Sequence, residues 1–352
     1  MTASPMSRDV GDRPARLIAF YLPQFHPTPE NDRWWGRGFT EWTNVARARP
    51  LFPGHAQPRI PADLGFYDLR LTEAQEQQAA LARTVGIEGF CYWHYWFSGT
   101  RLLHRPVDQL LAAGRPDLPF CLAWANETWS RRWLGEEQDI LIRQDYSPAD
   151  DRAHIEWLLP VFADPRYLTV EGRPVFLVYR PVDLPDPRAT TTLWRERCRA
   201  EGLPDPYLLG VNGHAVTVDC RLLGFDGTVN FEPQLGALPS VNADGLKVYD
   251  DAEARRRMAS WYPDYPAHPT VYVRWDTTPR RGGDAIVFVN GRVENFTRAL
   301  EGAIARVDGQ GEHALVFVNA WNEWAEGNYL EPDLADGRRY LDAIAATTTP
   351  WT

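Results

Sequence analysis

Val316-Phe317-Val318-Asn319-Ala320-Trp321-Asn322-Glu323-Trp324-Ala325-Glu326-Gly327 is the stretch whose reading decides the fold. Val316–Val318 is apolar at every position, as a strand buried on both faces has to be. Where that strand should end, two carboxylates stand three residues apart, Glu323 and Glu326, with Trp321 and Trp324 around them. A buried strand that delivers ionisable groups at its C-terminal end is how a parallel β/α barrel builds an active site. Paired carboxylates among tryptophans suit cleavage of a sugar bond. One carboxyl handles the leaving oxygen, the other serves the sugar carbon, and indole faces hold the rings. The plainer alternative for any Glu-x-x-Glu is a surface turn with salt-bridged glutamates, so the rest of the chain has to decide.

Seven more short apolar runs precede this one: Leu17–Leu22, Gly89–Trp96, Pro119–Ala125, Val175–Tyr179, Tyr207–Val211, Gly227–Phe231 and Thr270–Trp275, with Ala314–Ala320 as the eighth. Helical patterns alternate with them over Leu71–Val85, Val107–Ala113, Asp150–Phe162, Thr190–Glu201, Asp251–Trp261 and Val293–Val307, and Gly86, Gly114 and Gly202 stand where helix C-termini favour glycine. The alternation predicts an α/β protein with a single (β/α)8 barrel over residues 16–350 and a disordered tail over residues 1–15. Such barrels need about 250 residues, and the excess here fits a long insertion at Pro27–Leu69. A doubly wound open sheet competes, but no glycine-rich phosphate fingerprint follows the first strand.

The 352 residues carry a formal net charge of −10 and no Lys/Arg run able to track a phosphate backbone, which argues against nucleic acid as a partner. Cys91, Cys121, Cys198 and Cys220 are far apart and lack metal-ligand spacing. No HExxH, HxH, CxxC or P-loop pattern is present, so no metal or cofactor is called for. No segment approaches a membrane span, and no signal-like apolar run opens the chain; the expected location is cytoplasmic. Fifteen tryptophans bunch at segment ends more than at core spacing, as in a carbohydrate cleft.

If the site lies at the strand ends, the residues there should be polar or aromatic. Strand one runs into Gln24 and His26. Strand two ends in Trp93, His94 and Trp96, and strand three in Trp124, Asn126, Glu127 and Trp129. Later strands lead to Asn212, Glu232 and Asp276, and the eighth carries Asn322 with the two glutamates. Glu41 and Trp42 sit in the insertion, in a segment (Phe39–Trp42) that reads as a loop folded over the cleft. Any one of these is weak: a histidine beside aromatics is more often packed in a core, and Glu232 before a proline can be a turn residue. Residues three apart on a helical turn have Cβ atoms about 5–6 Å apart, near the carboxyl spacing of retaining glycosidases. Should Glu323 and Glu326 splay apart, Glu127 could pair with Glu323 across the barrel mouth.

Taken together, FYLPQFHP (20–27), NDRWWGRGFTEWTNV (31–45), GFCYWHYWF (89–97), WANETW (124–129) and NAWNEWAEG (319–327) resemble the WbsX-type, glycoside-hydrolase-family-99-like proteins across residues 17–344. The resemblance implies a barrel acting on bacterial polysaccharide or a related glycan. It also implies Glu323 as general base toward the sugar's 2-hydroxyl and Glu326 as general acid, then base for water, with net retention. A glycosyltransferase of cell-surface polysaccharide assembly and a non-catalytic carbohydrate-binding barrel are the alternative readings.

Overall fold

The computed structural model describes residues 14–131, 136–213, 216–239 and 245–348. The expected tail falls almost wholly outside the described residues. Eight strands follow one another around the barrel: β1 Arg16–Tyr21, β2 Ile87–Phe97, β3 Phe120–Trp124, β4 Arg173–Val178, β5 Tyr207–Asn212, β6 Gly227–Asn230, β7 His268–Tyr272 and β8 Leu315–Asn319. Every neighbouring pair is parallel, and β8 pairs with β1 to close the ring. The eight apolar runs are these eight strands. They are legible because a strand covered by helices outside and packed side chains inside has no polar face. All residues of β1, β3, β7 and β8 are buried.

Helices α1 Pro29–Trp35 and α2 Glu41–Arg47 lie in the insertion after β1, where the sequence reading expected a loop at Phe39–Trp42. Thr28 caps α1 through its side-chain oxygen, with a proline in the first turn. The layer around the barrel includes α3 Thr72–Thr84, α4 Arg105–Ala113, α5 Pro148–Phe162, α6 Pro187–Ala200, α7 Asp251–Ser260, α9 Val293–Val307 and α10 Arg339–Thr348, with the four-residue α8 Thr278–Arg281 in the connection after β7. Helix α10, absent from the sequence reading, buries Tyr340, Leu341 and Ile344 and ends in a threonine run that weakens its helical signal. Between β3–β4 and the helices α5 and α6, Trp124, Trp194 and Phe176 pack around the ring of His154. This aromatic layer accounts for several tryptophans as packing rather than as ligand surface.

Candidate active site

At the end of β8 the chain makes a short bridge, Asn322–Glu323 against Asn328–Tyr329, and a 3-10 turn over Trp324–Glu326. In such a turn residues three apart stack on one side, so Glu323 and Glu326 emerge together. The next residue, Gly327, has φ +62°, and a Cβ there would lie 2.9 Å from the Cβ of Asp276. Only glycine admits this close approach. The backbone N–H of Asp276 donates to the Glu326 carbonyl at 2.7 Å, tying the end of β7 to the turn.

One cation joins the two carboxyls. Arg280, from α8, donates its Nη1 to Glu326 Oε1 at 2.5 Å and its Nη2 to Glu323 Oε1. Its Nε donates to Oε1 of Glu41, the first residue of α2, at 2.8 Å. Glu41 is fully buried and also accepts from Asn44 at 3.2 Å and from Gln24 at 2.9 Å. Among the described residues no hydrogen bond reaches Oε2 of Glu323 or of Glu326. Three carboxyls thus surround one guanidinium, with side-chain exposures of 15% or less. Burial raises the pKa of Glu323 to about 8, Arg280 opposing and the charges of Glu326 and Glu41 adding. Glu326 is pushed up for the same first reason. The Tyr95 hydroxyl is held above its ordinary range by burial and then by the charge of Glu323. Excess negative charge in a desolvated place retains a proton, which a general acid requires.

Of the residues named from sequence, Gln24, Glu41, Glu323 and Glu326 meet in this cluster, and Asp276 adjoins it. The Asp276 carboxylate accepts from His55 Nε2 at 2.8 Å, the Nδ1 of that ring accepting in turn from the Leu51 N–H, and it also accepts from Gln57 at 2.7 Å and Thr278 at 2.6 Å. Trp93 is half-buried over the barrel interior, stacked on Phe20 and edge-on to Tyr179. Trp129 packs against Trp34, Tyr95 and Phe97 on the β2 side. Glu127 pairs with Arg180 at 3.4 Å, whereas Glu323 shares its guanidinium with Glu326, so the two glutamates of the turn do not splay apart. Burial raises Glu232 to about 7 against the pull of Arg255 and Arg306.

The remaining residues turn away from the cleft. Trp321 and Trp324 were expected to wall the site, but both are buried. Trp321 meets the Phe90 ring, and Trp324 stacks on Tyr329. Trp42 is buried against Phe25 and Tyr67, and Trp124 lies in the aromatic layer outside the barrel. Trp96 stacks on His154, and His94 lies 2.9 Å from that histidine between β2 and α5. His26 is buried and neutral, its pKa lowered to about 4 by desolvation. Asn126 clamps the backbone of Arg180, Asn212 the carbonyl of Val218, and Asn322 both backbone groups of Leu22. These asparagines close chain ends rather than face solvent. An aromatic or amide at a strand end can point inward or outward, and a one-residue difference decides which. Arg280 escaped the sequence reading because Thr277-Thr278-Pro279-Arg280-Arg281-Gly282-Gly283 has the composition of a solvated loop. The one available signal was indirect: two buried glutamates demand a counter-charge.

Residues 17–344 match the family model described as Glycosyltransferase WbsX. The chain belongs to the WbsX family. Its curated relatives include the uncharacterised WxcX proteins of two Xanthomonas campestris pv. campestris strains, B100 and ATCC 33913. They are 45% and 44% identical over 347 residues, 96% of this chain. The chain spans about half the length of these relatives, 50% in each case. Among solved structures, the WbsX chain is similar to a GH99 endo-alpha-mannosidase from Bacteroides thetaiotaomicron, with TM-score 0.57 and 15% identity over 94% of this chain and 96% of that one. A glycoside hydrolase-like protein superposes with TM-score 0.61 and 14% identity over 99% and 98%. At such identities the likeness speaks for the shared (β/α)8 barrel alone. Among the described residues of this WbsX protein, no helix is long and apolar enough to cross a membrane and no cluster of His, Cys, Asp or Glu could hold a metal ion.

Proposed function

We propose that this WbsX protein is a glycan-active enzyme that breaks a glycosidic bond with Glu323 and Glu326, with retention of configuration. The observation that supports this reading most directly is the shared guanidinium. It holds the two carboxyls side by side through their Oε1 atoms, and among the described residues no hydrogen bond reaches Oε2 of either. Side-by-side carboxyls suit retention, whereas inversion needs room for a water between them. In this reading Glu326 protonates the leaving oxygen and Glu323 serves the sugar as base, the roles that the family resemblance implies. Burial raises Glu323 to about 8, so it acts as base in the fraction of molecules that has lost its proton. The half-buried Trp93 offers a ring face to the sugar. The WbsX membership supports a bacterial surface polysaccharide or its lipid-linked precursor as substrate.

The test is reducing-end release from a panel of such glycans by wild type, Glu323→Gln and Glu326→Gln. Loss of about 100-fold or more in both folded variants is expected for an acid and a base. Undiminished release by both would overturn the assignment. The family description favours a second reading, transfer of a sugar from a nucleotide donor. Saturable binding of a nucleotide sugar to the purified protein, with no glycan release, would select it.

A further inference from the structure

Glu41 is a fully buried carboxylate that a two-carboxylate reaction does not use. It comes from the insertion after β1, and Arg280 from the connection after β7, so each crosses from its own loop to meet the other above β8. Glu41 takes the Nε edge of the guanidinium, and Gln24 and Asn44 hold the carboxylate in turn. With Nε engaged, the plane of the guanidinium is set, and its two terminal nitrogens fall to Glu326 and Glu323. A lysine could not copy this, because an ammonium is a point charge without a planar fork. Among the described residues, Arg281 and Tyr95 are further ionisable groups facing the pair.

We propose that Glu41 and Arg280 are positioning residues for the reaction: Glu41 orients Arg280, and Arg280 pins Oε1 of both Glu323 and Glu326 so that each presents Oε2 to the substrate. This rests on the hydrolytic reading given above. Arg280 is also the cation that permits one carboxyl of the pair to stay ionised while buried. An opposite charge within about 4–6 Å lowers a carboxyl's pKa by about 1–3 units, so its removal should raise the pair by that much.

The experiment compares wild type, Arg280→Gln, Arg280→Lys and Glu41→Gln by pH–rate profile on a released glycan and by melting temperature from pH 5 to 8. Arg280→Gln should lower kcat by about 100-fold or more and move the acid limb of the profile up by about 1–3 units. Arg280→Lys should leave that limb within about half a unit of wild type, because the charge remains, yet lose at least 10-fold in kcat. Glu41→Gln should lower kcat about 10-fold with KM unchanged. The melting temperature of Arg280→Gln should fall more steeply with rising pH than that of wild type. Profiles that keep their shape in Arg280→Gln, with melting curves parallel to wild type, would overturn the proposal and leave a structural ion pair. The melting series needs no turnover. If the steeper fall is seen while wild type cleaves no glycan, the hydrolytic reading fails and the control of the carboxyl pair by Arg280 stands.

Discussion

The indole N–H of Trp324, the first residue of the turn between Glu323 and Glu326, donates to Oε2 of Glu331 at 2.6 Å. Glu331 is buried and also accepts from Tyr67 at 2.9 Å and Gln78 at 2.6 Å. The turn that carries Glu323 and Glu326 is therefore anchored to α3 and the insertion through one carboxyl. Trp324→Phe removes the donor while keeping most of the packing. It should destabilise the fold by about 1–3 kcal/mol, the usual penalty for leaving a buried polar group short of a partner. Urea unfolding measures this, and an effect below about 0.5 kcal/mol would show that the anchor lies elsewhere.

Glu331 also sets a pH dependence. Burial, opposed by its hydrogen bonds, raises its pKa to about 7 from an ordinary 4.5. The folded protein keeps a proton that the unfolded chain releases above pH 4.5. This contribution to stability is whole below about pH 4.5 and is lost as the pH rises through about 7. The rise corresponds to about 3 kcal/mol as an order of magnitude. Glu331→Gln should flatten the fall in melting temperature between pH 4.5 and 7; an unchanged slope would exclude Glu331 as its source.

Histidines act in the opposite sense. Burial lowers His94 to about 3 and, with the charge of His313, His268 to about 4. His154 is lowered by burial and then by His94, whose Nε2 lies 2.9 Å from its own Nε2. The unfolded chain binds protons near pH 6.5 that the folded one refuses, so this stability is present above 6.5 and is lost as the pH falls toward 3–4. The double variant His94→Phe/His154→Phe keeps aromatic rings in the layer and should lose stability less steeply between pH 6.5 and 4. Parallel acid limbs in melting scans would contradict this.

Gly327→Ala tests the approach of the turn to β7. An L-residue at φ +62° costs about 1–2 kcal/mol by conformation alone, before its Cβ meets Asp276 at 2.9 Å. A loss of at least that size in urea unfolding is expected, accompanied by reduced glycan release because Glu326 is the adjoining residue. Full stability with full activity would mean that the turn can relax.

The eight strands could be read from the chain because burial on both faces leaves a continuous apolar run, a signal that needs no knowledge of neighbours. The six predicted helices carried their own periodicity, and Val293–Val307 has the boundaries that its pattern predicts. Glu323 and Glu326 stood out because ionisable residues at the end of such a strand contradict their surroundings. The direction of each side chain was beyond local reading. Trp321 and Trp324 flank the same glutamates in sequence yet fill the core, Trp321 against Phe90 and Trp324 stacked on Tyr329, contacts made with segments that local sequence does not reveal. Asn126 and Asn322, legible as polar strand ends, satisfy backbone groups of segments 54 and 300 residues away. Composition and order along the chain thus determined the barrel and the carboxylate pair. Only the closure of β8 onto β1 brought Glu41 and Arg280, 239 residues apart, to one another over that pair. A buried charge is partnered by whatever the fold brings within reach, and reach is a property of three dimensions.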